Sequence, residues 1–98
     1  MKSKSEVLAA IKGNKKALAK FGIKSIGLFG SYARESQNEE SDIDILLDFE
    51  GDKETFDNYM ATYDLLESLF NGKRVEVVTK NGLSPYIGPK ILNEVIYV

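Results

Sequence analysis

The sequence predicts a small α/β (α+β) domain in which three strands form one sheet and helices cover one of its faces. Three observations predict it. Short apolar runs with a period of two, at 23–29, 43–47 and 75–79, alternate with longer stretches whose apolar residues recur every three to four positions. Turn residues, Gly22, Gly30-Ser31, Glu50-Gly51-Asp52 and Asn71-Gly72, fall between them. The 98 residues are 43% hydrophobic, enough to fill one core, so the whole chain, 1–98, reads as a single domain.

Ser3-Lys4-Ser5-Glu6 has capping-box spacing, and Val7, Leu8, Ile11, Leu18 and Phe21 follow at helical intervals, predicting a first helix over 5–20 that stops at Gly22. Gly13 and Asn14 weaken it in the middle. Ile23 to Phe29 reads as a strand, with Gly27 marking a close backbone approach or a bulge. Tyr32-Ala33-Arg34 makes one helical turn, which places Arg34 on the same face as Ser31. The polar segment 35–41 is an exposed loop.

Asp42 to Phe49 is the second strand. Ile43, Ile45 and Leu47 point to one side, and Asp42, Asp44 and Asp48 share the other with Leu46. From 53 to 70, Phe56, Tyr59, Met60, Tyr63, Leu66 and Phe70 form a helical core stripe. Lys73 to Thr79 is the third strand, where Glu76 stands alone among valines. A carboxylate there is costly to bury unless it is paired, metal-bound or protonated. It also reads as an edge-strand charge that resists aggregation. Pro85, Gly88 and Pro89 keep the next stretch irregular, with Tyr86 packing beneath the C-terminal segment, and 90–95 reads as a last short helix. The two long helices cover one face of the sheet and leave the acid-bearing face partly open.

Composition removes several chemistries. The chain has no cysteine and no histidine, so disulfides, thiolate metal sites, imidazole bases and Ser-His nucleophiles are excluded. A general base must then be a carboxylate, a lysine or a tyrosine. The net charge of -2, with signs mixed along the chain, gives no footprint for direct nucleic-acid binding. The lysines between Lys2 and Lys20 read as the solvated face of a helix or as a surface for an acidic partner. No apolar run of membrane-spanning length or secretory h-region occurs, which points to a cytoplasmic protein with no membrane partner.

One stretch, 30–48, gathers what chemistry remains. Gly30-Ser31 leaves a strand and precedes a helical turn, a place where backbone N–H groups can cradle phosphate. Ten residues later Asp42-Ile43-Asp44 opens a strand, with carboxylates on one face and Cα atoms about 6–7 Å apart, a spacing suited to one or two hard cations. Each feature alone is weak: an acid pair at a strand entry is usually solvated, Gly-Ser is commonly a plain turn, and Arg34 alone is an ordinary surface ion-pair partner. Together they point to metal-assisted phosphoryl or nucleotidyl chemistry.

The joint arrangement resembles the GS-x10-DxD signature of polymerase-β-like nucleotidyltransferases. The words IGLFGSYAR, SDIDIL and RVEVVT, and the terminal ILNEVIYV, are similar to the minimal nucleotidyltransferase (MNT) subgroup over nearly the whole chain. The resemblance implies a nucleotidyltransferase fold with a mixed sheet. It implies ATP as substrate and two Mg²⁺ ions held by Asp42, Asp44 and Glu76. Gly30, Ser31 and Arg34 would bind the nucleotide phosphates, and Glu76 would serve as the proton acceptor. It further implies an antitoxin that transfers AMP to a tyrosine of a HEPN-domain RNase toxin. Two positions depart from the family pattern: Glu35 stands where glycine is frequent, and Glu76 where aspartate is frequent. Glu35 leaves room for an alternative, an inactive antitoxin that neutralises its partner by binding alone. Transfer to a small molecule is a third reading, disfavoured because so short a chain shows no second wall for an acceptor pocket. The sequence leaves homodimerisation, which would supply one, open.

Overall fold

The computed structural model describes residues 2–98. Helix α1 (Lys4–Lys12) starts on the expected capping box: the Ser3 hydroxyl accepts the Glu6 N–H at 3.1 Å, and the Ser3 N–H donates to Glu6 Oε1 at 3.0 Å. The single first helix expected from the sequence is two helices. Gly13 caps α1, Asn14 turns back to donate from its side chain to the Ala10 carbonyl, and α2 (Lys15–Lys20) begins anew. The break lets Val7 and Ile11 on one helix and Leu18 on the other reach the same core.

The sheet contains β1 (Ile23–Phe29), β2 (Ile43–Phe49), β3 (Val75–Thr79) and β4 (Ile96–Tyr97), in the order β3-β2-β1-β4. It therefore has four strands rather than three. The fourth is two residues long, too short for periodicity to reveal, and pairs Gly27 with Tyr97 and Leu28 with Ile96. β1 runs antiparallel to β2 and β4, whereas β2 and β3 are parallel, so the sheet is mixed, as the resemblance implied. A register shift between Ile23 and Ser25 makes the bulge. Gly27 instead marks a close approach, because a Cβ there would overlap the Val95 side chain.

The two faces of the sheet are filled differently. Ile26, Leu28, Ile43, Ile45 and Leu47 are fully buried against α1, α2, the short α3 (Gly30–Arg34) and α4 (Phe56–Leu69). On the opposite face, Phe29, Leu46 and Ile91 form a smaller cluster with Val78, Leu83 and Val95 beneath α5 (Gly88–Glu94). The second face is thus partly roofed, where the sequence predicted helices on one face alone. α5 begins at Gly88 rather than residue 90, because Pro89 occupies the first turn, where a missing N–H costs nothing.

Helix α4 starts later than predicted, at the Thr55 cap, whose hydroxyl accepts the Asn58 N–H at 3.1 Å. Its buried line runs through Thr62, Leu66 and Phe70, with Tyr59 partly covered. Phe56, expected in the core stripe, is 78% exposed, because the first helical residue overhangs the end of β3. Tyr86 also departs from expectation: it is 93% exposed at the tip of the segment before α5.

Candidate active site

The acids meet because of strand register. β2 and β3 are parallel, and Asp44 pairs directly with Glu76. Side chains of paired residues in adjacent strands project to the same face, so both carboxylates stand on the less filled side of the sheet. Across the other neighbour Asp44 faces Phe29, the last residue of β1. The Gly30 turn follows at once, with φ +76, and it lies so close that a Cβ at Gly30 would overlap the Asp44 carboxylate. Only glycine allows both this left-handed backbone and this approach.

Asp44 is half-buried, and its carboxyl is pushed up to about 7. Burial is the main cause, followed by the charge of Glu76 and a carboxyl–carboxylate hydrogen bond to it, then the charge of Asp42; Arg34 opposes them. Glu76 itself is exposed on an edge strand, because Val75 and Val77 turn to the main core and Glu76 turns away to the partly open face. Its position thus satisfies the edge-charge reading as well.

Asp42 lies one residue before β2 rather than inside it, and its side chain is engaged by Arg74, with Nε at 3.2 Å from Oδ1 and Nη2 at 3.3 Å from Oδ2. The fork faces solvent on the Arg74 side, whose side chain is 80% exposed, so the pair is a weak and breakable tie. Among the described residues, no three or more His, Cys, Asp or Glu side chains are already gathered at metal-binding distances. Asp44 and Glu76 stand side by side, while Asp42 is held by Arg74. The donor set is all oxygen, which suits Mg²⁺ rather than a softer ion. Burial first, and then the neighbouring Glu76 and Asp42 charges, disfavour ionised Asp44, and a bound cation would offset both.

Beside Asp44 and Glu76 a cleft of about 430 Å³ opens between the sheet and α5, walled by Phe29, Val78, Leu83 and Ile91, with Ile87 at its edge. A hollow of similar volume, about 460 Å³, lies between α1 and β4 against Leu8, Lys12 and Tyr97, but none of the acids or signature residues reaches it.

The structure brings Gly30, Asp44 and Glu76 together, with Asp42 close enough to influence Asp44. Arg34, at the last position of α3, donates from Nη1 to Glu94 Oε2 at 2.9 Å. Sequence reasoning missed Arg74 and Glu94. Glu94 lies within the terminal segment that carried the family likeness, yet only the fold shows what it touches. Glu35, the departure from the family pattern, has φ 58 and caps α3 in the left-handed conformation, which explains why glycine suits that position. Its carboxylate lies 3.4 Å from Lys4, so it is spent on α1.

Comparison with known proteins places the chain in a family. Residues 11–98 match the family model described as nucleotidyltransferase domain. MJ1379 of Methanocaldococcus jannaschii, provisionally named a protein adenylyltransferase, is 42% identical over 101 residues, covering 100% of both chains. Protein adenylyltransferase MntA of Thermococcus cleftensis is 39% identical over 94 residues, covering 95% of this chain and 93% of its own. A solved structure described as a provisional minimal nucleotidyltransferase superposes with a TM-score of 0.82 at 30% identity, covering 97% of this chain and 95% of that one. A toxin–antitoxin crystal structure with AMP-PNP shares the fold, with a TM-score of 0.62 at 24% identity over 96% of this chain and 70% of that one. The chain belongs to the nucleotidyltransferase domain family, among relatives named as protein adenylyltransferases, and is an enzyme of the nucleotidyltransferase class.

Proposed function

We propose that the protein transfers AMP from ATP to a hydroxyl, a tyrosine of a HEPN-domain toxin, and so acts as that toxin's antitoxin in the cytoplasm. The observation that carries this reading is the side-by-side register of Asp44 and Glu76 at a cleft, with the Gly30 turn packed against the Asp44 carboxylate. The names of the relatives support the acceptor class: they are called protein adenylyltransferases. The toxin–antitoxin structure with AMP-PNP supports both a nucleotide and a toxin partner for this fold.

In this reading Ser31 and the backbone around Gly30 hold the triphosphate, and Arg34 neutralises charge on the departing pyrophosphate. The apolar wall of Leu83, Ile87 and Ile91 receives the base. Asp42, Asp44 and Glu76 would hold two Mg²⁺ ions, which when bound draw charge from the phosphates and make the acceptor hydroxyl easier to ionise. Glu76, exposed at the mouth, accepts the acceptor's proton, the role left to a carboxylate in a chain without histidine. Asp44 must be ionised to hold a cation, and Arg34 favours that state.

The test is to incubate the purified chain and its helical partner with ATP and Mg²⁺ and to measure the partner's mass. A gain of one AMP on a tyrosine is expected. Neutralisation of the partner with no mass gain, persisting when all three acids are replaced, would mean that binding alone accounts for the antitoxin effect.

A further inference from the structure

Glu94 closes α5, and its two oxygens serve different ends of α3. Oε1 accepts the N–H of Gly30, the first residue of that helix, at 3.1 Å, and Oε2 accepts Nη1 of Arg34, the last, at 2.9 Å. These partners are 64 and 60 residues away in sequence. The carboxylate is well covered, at 19% side-chain exposure, whereas Arg34 is half exposed. A five-residue helix cannot hold its own geometry, because one turn of hydrogen bonds does not repay nucleation. α3 therefore depends on tertiary ties, and Glu94 grips it at both ends.

Glu94 is itself fixed on both sides in the chain. Ile91, three residues earlier, is buried in the cleft wall, and Val95, the next residue, fills the space over Gly27. Ile96 then pairs with Leu28. Gly30 in turn lies against the Asp44 carboxylate. The contact thus couples the roof of the cleft, the turn and the acid. One Arg34 N–H is used by Glu94, and a guanidinium carries five, so most of that fork remains for a ligand.

We infer that Glu94 is a positioning residue for nucleotide binding: it sets the Gly30 turn and aims Arg34 without itself touching the triphosphate. This rests on the reading of the cleft as an ATP site. The competing behaviour, in which Glu94 fills the anion site and must be expelled by phosphate, predicts the opposite sign and is disfavoured by the depth of the carboxylate and by its hold on both ends of α3.

The test measures Mg·ATP dissociation constants by calorimetry, and KM and kcat for AMP transfer, for the wild type, Glu94→Gln, Glu94→Ala and Arg34→Ala. Glu94→Gln keeps an acceptor for Gly30 but loses the charge facing Arg34. Its Kd and KM for ATP are expected to rise about tenfold, the scale of one hydrogen bond to a charged group, with kcat within about threefold. In an Arg34→Ala background the same substitution should cost less than about threefold, because its partner is gone. Unchanged or tighter ATP binding by Glu94→Gln, in a protein that melts like the wild type, overturns the inference. If Glu94→Ala does not fold, the Gln variant alone decides. A wild type that binds ATP but transfers no AMP defeats the transferase reading and leaves this one to be judged on Kd. A wild type that binds no ATP defeats both.

Discussion

The two faces of one sheet carry opposite designs. On the face toward α1, α2 and α4, alternate residues of β2 are buried apolar side chains, Ile43, Ile45, Leu47 and Phe49. On the other, the intervening positions hold Leu46, buried under α5, and Asp44, which is left beside an open cleft. The same backbone serves both because successive side chains alternate. The first face supplies stability, so the second can accept a carboxylate raised to about 7, a charge pair on neighbouring strands and a one-turn helix held from a distance.

The contrast can be broken most severely from the packed face. Ile45→Ala removes a side chain with no exposure at the centre of the core, and should cost about 2–5 kcal/mol in urea denaturation. Against a total of about 5–15 kcal/mol for an ordinary domain, that is a large share.

On the site face the sign reverses. The Asp44 carboxyl stands at about 7 in the fold against an ordinary 3.8. The folded state therefore holds an extra proton between those values. The stability linked to that proton is complete below pH about 4 and is lost as pH rises through about 7. Asp44→Asn removes this dependence. Without divalent ions, its melting temperature should match the wild type near pH 4 and exceed it by several degrees at pH 8. A gap that does not change with pH would mean Asp44 titrates as an ordinary carboxylate.

Glu35→Gly relieves a left-handed backbone at the end of α3 and gives up only an exposed tie to Lys4. A gain of about 1 kcal/mol in chemical denaturation is expected. Smallest of all, Phe56→Ser should change stability by less than about 0.5 kcal/mol, since that ring is mostly in solvent. A loss of the size expected at Ile45 would show that the aromatic stripe of α4 is core throughout.

Local signals in the sequence were enough to place much of this. The capping box at Ser3, the alternation along β2 and the Gly30-Ser31 turn act over a few residues, and each sits where its chemistry requires. What depended on distant partners was not legible. The pairing of Asp44 with Glu76 is a parallel register between two strands joined through α4, which neither strand shows alone. β4 is a strand only because β1 offers it an edge. Arg74 and Glu94 are unremarkable charges in the chain and acquire meaning from Asp42 and from α3 across 32 and 60 or more residues. Phe56 is exposed because the first residue of α4 overhangs the end of the sheet, which the helical spacing alone does not show.

The central claim is that carboxylates from adjacent parallel strands act as one centre on the open face. The measurement that tests it most directly is the rate of AMP transfer to the partner by Asp44→Asn and by Glu76→Gln, each checked for folding by its melting curve. The account predicts losses of about a thousandfold or more for Asp44→Asn and at least about a hundredfold for Glu76→Gln, with melting temperatures equal to or above the wild type. Transfer by a folded Asp44→Asn protein within about tenfold of the wild type would contradict it.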